Sequence, residues 1–159
     1  MTSLARSAWR ELISPLFRRP SVVQLAALCH RPGPGGLEVL LVRSSRGRWI
    51  LPKGWPIDGL NGAQTAMREA WEEGGVSGGK PAKRALGFFD TVKRLDSGTE
   101  MPCETHVYAV AVHETQPEFP ESEARDPTWA SVGDAIDMVD EKGLKDILAE
   151  FGATASKVG

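Results

Sequence analysis

Gly54-Trp-Pro-Ile-Asp-Gly-Leu60-Asn61-Gly-Ala-Gln-Thr65-Ala-Met-Arg68-Glu69-Ala70-Trp71-Glu72-Glu73-Gly74-Gly75-Val76 is the stretch on which the reading of this chain turns. Its approach, residues 52–59, holds two prolines and two glycines in eight positions, which predicts an ordered loop rather than a helix or a central strand. Residues 63–73 then read as a helix, N-capped by Asn61 and stopped by Gly74-Gly75. At ~100° per residue, Glu73 lies about 40° to one side of Glu69 and Glu72 about 60° to the other. The three carboxylates and Thr65 therefore share one sector. Ala63, Ala66, Met67, Ala70 and Trp71 fall on the other side, so one face is expected to pack while the opposite face concentrates negative charge.

A solvated acidic face is the ordinary fate of such positions, but two costs argue against it here. Like charges at i,i+3 and i,i+4 repel, and only Arg68 is placed to offset Glu72. Glu72 and Glu73 also occupy the last helical turn, where the helix dipole disfavours anions by roughly 0.3–1 kcal/mol. A helix that accepts both penalties points to a function, and three hard oxygen donors on one face suit Mg²⁺ or Mn²⁺. Gly54 permits close backbone approach and a carbonyl ligand. Just upstream stand Arg43, Arg46, Arg48 and Lys53, with Lys93 and Arg94 further on, all of a type that binds phosphate. A cation site beside phosphate ligands is the equipment of phosphoryl transfer.

Spaced this way, Gly54, Leu60 and Arg68-Glu69-Ala70-Trp71-Glu72-Glu73-Gly74-Gly75-Val76 resemble the Nudix box, G-x5-E-x7-R-E-U-x-E-E-x-G-U, with U an aliphatic residue. The resemblance implies an α/β fold, the Nudix α/β/α sandwich with a central mixed β-sheet, and a metal-dependent hydrolase of phosphoanhydride bonds. It implies that Glu69, Glu72, Glu73 and the Gly54 carbonyl bind Mg²⁺ or Mn²⁺, with Glu72, Glu73 and Arg68 as the catalytic set. Arg68 would orient a carboxylate by a salt bridge. The base would be a helix Glu first, or a loop acid such as Glu104, Glu118 or Glu121. Leu60 departs from the pattern: it stands where the family usually has a Glu that supports the metal cluster.

The flanks Arg48-Trp-Ile-Leu-Pro-Lys-Gly54, Thr105-His-Val-Tyr108 and Arg125-Asp-Pro-Thr-Trp129 are similar to the diphosphoinositol polyphosphate and diadenosine polyphosphate hydrolase branch. That implies a small phosphorylated substrate held by Arg43, Arg46, Arg48, Lys53 and Lys93. The alternatives are a homologue that binds such ligands without turnover, and a hydrolase acting on RNA 5′ ends. His106 is read first as a structural histidine, and Trp55 as a loop anchor before a base-stacking residue.

Working outward, strands are expected over residues 21–29, 37–42, 85–94 and 104–113, with short apolar segments at 49–51 and from Trp129. The second strand is apolar almost throughout, as a strand buried on both faces should be. Residues 116–127 read as a long loop, and residues 132–140 and 143–151 as closing helices. The whole is a mixed α/β sandwich. The division is an N-terminal extension (1–19, a peripheral helix packed by Leu4, Ala8, Leu12 and Phe17), one domain (20–152) and a frayed tail (153–159).

The 159 residues carry a net charge of −2, unevenly spread. Residues 1–99 hold fifteen Lys/Arg against eight Asp/Glu, and residues 100–159 four against thirteen. A basic first half suits an anionic ligand, whereas the acidic second half argues against a nucleic-acid partner. No apolar run approaches the ~20 residues that cross a bilayer, so no membrane partner is expected. Cys29 and Cys103 read as free core thiols of a reducing compartment, and the cytoplasm is the expected location. Arg6, Arg10, Arg18 and Arg19 keep mitochondrial targeting as the competing reading. Oligomeric state is not legible.

Overall fold

A computed structural model describes residues 22–158, and the expected N-terminal extension lies outside the described residues. The strands are β1 (Val22–Gly33), β2 (Gly36–Arg43), β3 (Trp49–Ile50), β4 (Lys53–Gly54), β5 (Val76–Pro81), β6 (Gly87–Arg94), β7 (Glu100–Thr115) and β8 (Thr128–Ser131). The helices are α1 (Gly62–Gly74), α2 (Ser122–Arg125), α3 (Val132–Met138) and α4 (Lys142–Val158).

One mixed sheet runs β3-β2-β1-β7-β5, with β4 joined to β1, β6 to β7 and β8 to β2. Among the described strands only β1 and β7 form a parallel ladder, Val22 opposite Cys103 through His30 opposite Ala111. The other pairs are antiparallel. The alternation of a strand divides its residues between two cores. Ala26 and Leu28 of β1 and Val39 and Leu41 of β2 meet Ala135 of α3, Val139 just after it, and Leu144 and Leu148 of α4. Ala27, Cys29 and Leu40 face the other way, onto Ala66 and Ala70 of α1. Because helices cover both faces, β1 and β2 must be apolar at nearly every position, which is the pattern the sequence shows.

Four local expectations are corrected. Lys53-Gly54, read as loop, is a two-residue strand with Leu25 opposite Gly54 and Ala26 opposite Lys53; backbone pairing to β1 overrides the flanking prolines. Strand β5 was not expected, since Gly78 and Gly79 have low strand propensity. They are tolerated because a Cβ at Gly78 would strike the His113 ring, and the register shifts there. The loop over residues 116–127 contains the short helix α2. Residues 153–158, expected to fray, continue α4.

Candidate active site

Helix α1 begins with a reciprocal capping box: Asn61 Oδ1 accepts from Gln64 N at 2.8 Å and Gln64 Oε1 accepts from Asn61 N at 2.9 Å. It ends at Gly75, whose φ of 74° is left-handed. A side chain there would also run into the Gln116 carbonyl and the Phe119 ring, so two independent constraints demand glycine. The chain leaving β7 docks on this terminus. Gln116 N donates to Gly75 O at 2.8 Å and Glu121 N to Glu72 O at 2.9 Å, satisfying carbonyls that a helix end leaves free.

The expected division of α1 into a packed face and an acidic face is corrected. Its buried residues are Thr65, Ala66, Glu69, Ala70, Glu73 and Gly74, whereas Met67 and Trp71 are only partly covered. Two of the three carboxylates are therefore turned inward: Glu69 is 9% and Glu73 4% exposed. Glu69 lies against Gly54, where any Cβ would overlap its carboxylate. Glu73 is gripped at both oxygens. Its Oε2 accepts from Lys53 N at 3.1 Å, and its Oε1 accepts from Arg125 Nη2 at 3.1 Å.

Burial dominates the electrostatics. It pushes the Glu73 carboxyl up to about 7, against the opposing pull of Arg125 and the Lys53 N–H, with Glu69 and Glu121 adding repulsion. Burial likewise raises Glu69, and repulsion from Glu72 and Glu121 adds to it. Arg125, and for Glu69 also Arg68, oppose these shifts without cancelling them, so the crowded acidic groups are short of positive charge. That fits a divalent cation with oxygen ligands, although among the described residues no three acidic or histidine side chains are grouped ready to hold an ion.

Of the three loop acids considered, the structure brings Glu121 to this cluster. Glu118 is exposed. Glu104 is paired with His106, Oε1 to Nε2 at 2.6 Å, and that ring stacks on Phe88 at 5.6 Å. The salt bridge expected of Arg68 is made instead by Arg125. Arg68 is exposed and lines a shallow cleft with Leu60, Met67 and Trp71. Leu60 therefore stands beside Arg68, on a different side of α1 from the buried carboxylates. Arg125 was not among the expected site residues; its sequence signals are that it opens the flank Arg125-Asp-Pro-Thr-Trp129 and is the lone basic residue within the acidic stretch 116–127.

Most of the cationic residues read as phosphate ligands are brought together. Arg46, Arg48, Lys53, Lys93 and Arg94 line one open cavity of about 350 Å³, together with Gln24, Ser44 and Thr91 and against only Glu100 and Glu141. Burial lowers the Lys53 ammonium, Glu141 opposes that, and Lys93 and Arg48 add to it. Arg43 does not line this cavity. Its guanidinium lies 4.1 Å from the Trp49 ring centroid and donates to Gly47 O at 2.8 Å, so it braces the basic loop. Trp55 is partly exposed and carries the Lys93 ammonium over its ring at 4.4 Å. The two halves of the site meet at β4: the Lys53 backbone holds Glu73, its side chain lines the cation-rich cavity, and Gly54 underlies Glu69.

The sequence matches the NUDIX domain family over residues 22–151. This chain belongs to the Nudix family. Over 122 residues it is 31% identical to Nudix hydrolase 21, chloroplastic, of Arabidopsis thaliana, a match covering 75% of this chain and 59% of that protein. Over 120 residues it is 37% identical to diphosphoinositol polyphosphate phosphohydrolase 3-beta of Homo sapiens, covering 72% and 66%. The matches thus span about three-fifths of the length of these curated Nudix relatives. The solved structure of the C. elegans Ap4A hydrolase binary complex superposes with a TM-score of 0.65 at 20% identity, over 86% of this chain and 98% of that one, which shows the fold. Among the described residues no helix is long and apolar enough to cross a membrane.

Proposed function

We propose that this Nudix protein hydrolyses a phosphoanhydride bond in a nucleoside- or inositol-linked diphosphate or polyphosphate, by attack of water on phosphorus. The observation that carries this reading is β4, which joins the buried carboxylates of α1 to a cavity lined by five cationic side chains. The relatives named for diphosphoinositol polyphosphate and Ap4A hydrolysis support the substrate class. Glu69, Glu72, Glu73 and the Gly54 carbonyl would hold a divalent cation, Mg²⁺ or Mn²⁺, which when bound supplies charge neutralisation at the phosphates and a lowered pKa for water. Arg46, Arg48, Lys53 and Lys93 bind and orient the substrate phosphates by charge-assisted hydrogen bonds. The water proton passes to Glu73 or to Glu121, the two acids that share Arg125. The buried free thiols Cys29 and Cys103 favour a reducing compartment. Two plant relatives are named chloroplastic and mitochondrial, so fluorescent-fusion imaging decides between the cytoplasm and an organelle.

The test is phosphate release from diadenosine polyphosphates, nucleoside di- and triphosphates and diphosphoinositol polyphosphates, with Mg²⁺, with Mn²⁺ and with EDTA. Turnover that needs the cation and falls roughly 10²–10⁴-fold in Glu73→Gln is expected. Absence of turnover on every substrate, in wild type as in the variant, would sink the reading.

A further inference from the structure

Arg125 makes more specific contacts than any other charged side chain near the carboxylates. Its Nη2 donates to Glu73 Oε1 at 3.1 Å, its Nε donates to Glu121 Oε1 at 3.1 Å, and its Nη1 donates to the backbone carbonyl of Arg43 at 3.2 Å. These partners belong to α1, to the segment docked on its C-terminus and to the last residue of β2, from which the chain runs on to Arg46 and Arg48 in the cavity. The side chain of Arg125 is 21% and that of Glu73 5% exposed, so the pair sits where solvent screens little. A planar fork is well shaped for such bridging, because one guanidinium reaches three groups in fixed directions and an ammonium does not. Glu73 is consequently clamped from both ends, by Lys53 N–H on Oε2 and by Arg125 on Oε1, and each oxygen keeps a further lone pair.

We infer that Arg125 is a positioning residue: it sets the orientation of the Glu73 carboxylate, and with it that of Glu121, relative to the phosphate-binding loop. It does so in the place that the family resemblance assigns to Arg68. The inference rests on the proposed function only for its kinetic consequence. Its effect on the cation is separate, because a guanidinium and a divalent ion drawn to the same carboxylate repel each other. Removing Arg125 strengthens cation binding and at the same time releases the carboxylate from its working orientation. A purely structural role does not produce that opposed pair of effects.

The experiment compares the full chain as wild type, Arg125→Gln and Arg125→Lys, with free Mn²⁺ counted by electron paramagnetic resonance and steady-state kinetics on whichever substrate the panel identifies. Arg125→Gln should bind Mn²⁺ about tenfold more tightly. Its kcat should fall at least tenfold with KM changed less than threefold. Arg125→Lys keeps the charge without the fork, so Mn²⁺ affinity should stay near wild type while kcat still falls. Should Arg125→Gln fail to fold, Arg125→Lys alone decides: kcat at least tenfold down with KM changed less than threefold supports the inference, and an unchanged kcat overturns it. Unchanged or weakened Mn²⁺ affinity in a folded Arg125→Gln overturns the inference, as does a rise in KM alone, which would make Arg125 a substrate ligand. If wild type turns over nothing, the proposed activity fails, but the Mn²⁺ comparison still decides whether Arg125 opposes a cation at Glu73.

Discussion

Replacing Glu73 by Gln should remove a pH dependence from the stability of the metal-free protein. In the unfolded chain this carboxyl ionises near 4.5; in the folded protein burial holds it at about 7. Below 4.5 both states carry the proton and pH has no effect through this group. Between 4.5 and about 7 the unfolded chain has released its proton while the folded protein retains it, so each rise in pH favours unfolding. Above that interval the loss is complete. The interval, at ~1.4 kcal/mol per tenfold change, corresponds to about 3 kcal/mol at most. With the side chain of Glu73 only 5% exposed, solvent screening removes little of it, and relaxation of the site leaves an expected loss of about 1–3 kcal/mol. Urea unfolding in EDTA, at pH values spanning this interval, measures the effect in wild type and variant. Glutamine turns an amide nitrogen toward either Lys53 N–H or Arg125, so the curves will be offset; the difference in slope is the observable. Wild type should lose stability with rising pH and the variant should stay flatter. Added Mg²⁺ should restore wild type most strongly at the alkaline end, where Glu73 is ionised. Parallel curves would refute the placement of an under-compensated carboxylate in this cluster.

A Cβ at Gly54 would overlap the Glu69 carboxylate, so Gly54→Ala should cost roughly 1–3 kcal/mol in thermal unfolding and weaken Mn²⁺ binding; an unperturbed variant would contradict that contact. Lys53→Ala should raise KM by about tenfold and reduce the salt dependence of kcat/KM, since it withdraws one cation from the cavity; a loss confined to kcat would place Lys53 elsewhere. Leu60→Glu adds a carboxylate beside Arg68 rather than beside Glu69. It should therefore change stability by no more than about 1 kcal/mol and leave Mn²⁺ affinity within about twofold, and a large gain in affinity would reverse that assignment. Arg43→Ala removes the brace on Trp49 and Gly47, so heat should unfold it earlier by about 1 kcal/mol of lost cation–π and hydrogen-bond energy, with substrate KM moving less than for Lys53→Ala.

Much was already written in the order of residues, wherever local chemistry carries the signal. The cap of Asn61, the stop at Gly74-Gly75 and the strands β1 and β2 follow from capping, left-handed glycine and apolar runs, all of which act over a few neighbours. The spacing from Gly54 to Glu73 likewise marked the family and the acidic helix, because a helix converts sequence separation into shared faces. The inward turn of Glu69 and Glu73 was not legible: the buried sector of α1 is chosen by the sheet beneath it, through Ala27, Cys29 and Leu40, and not by the helix's own composition. Strand β5 was hidden for a similar reason, since pairing to β7 outweighs the weak propensity of its glycines. Arg125 stands 52 residues from Glu73, and no periodicity reaches that far. Only the docking of residues 116–125 on the end of α1 decides that this arginine, and not the adjacent Arg68, meets the carboxylate, because a charge pair depends on distance in space and is blind to distance along the chain.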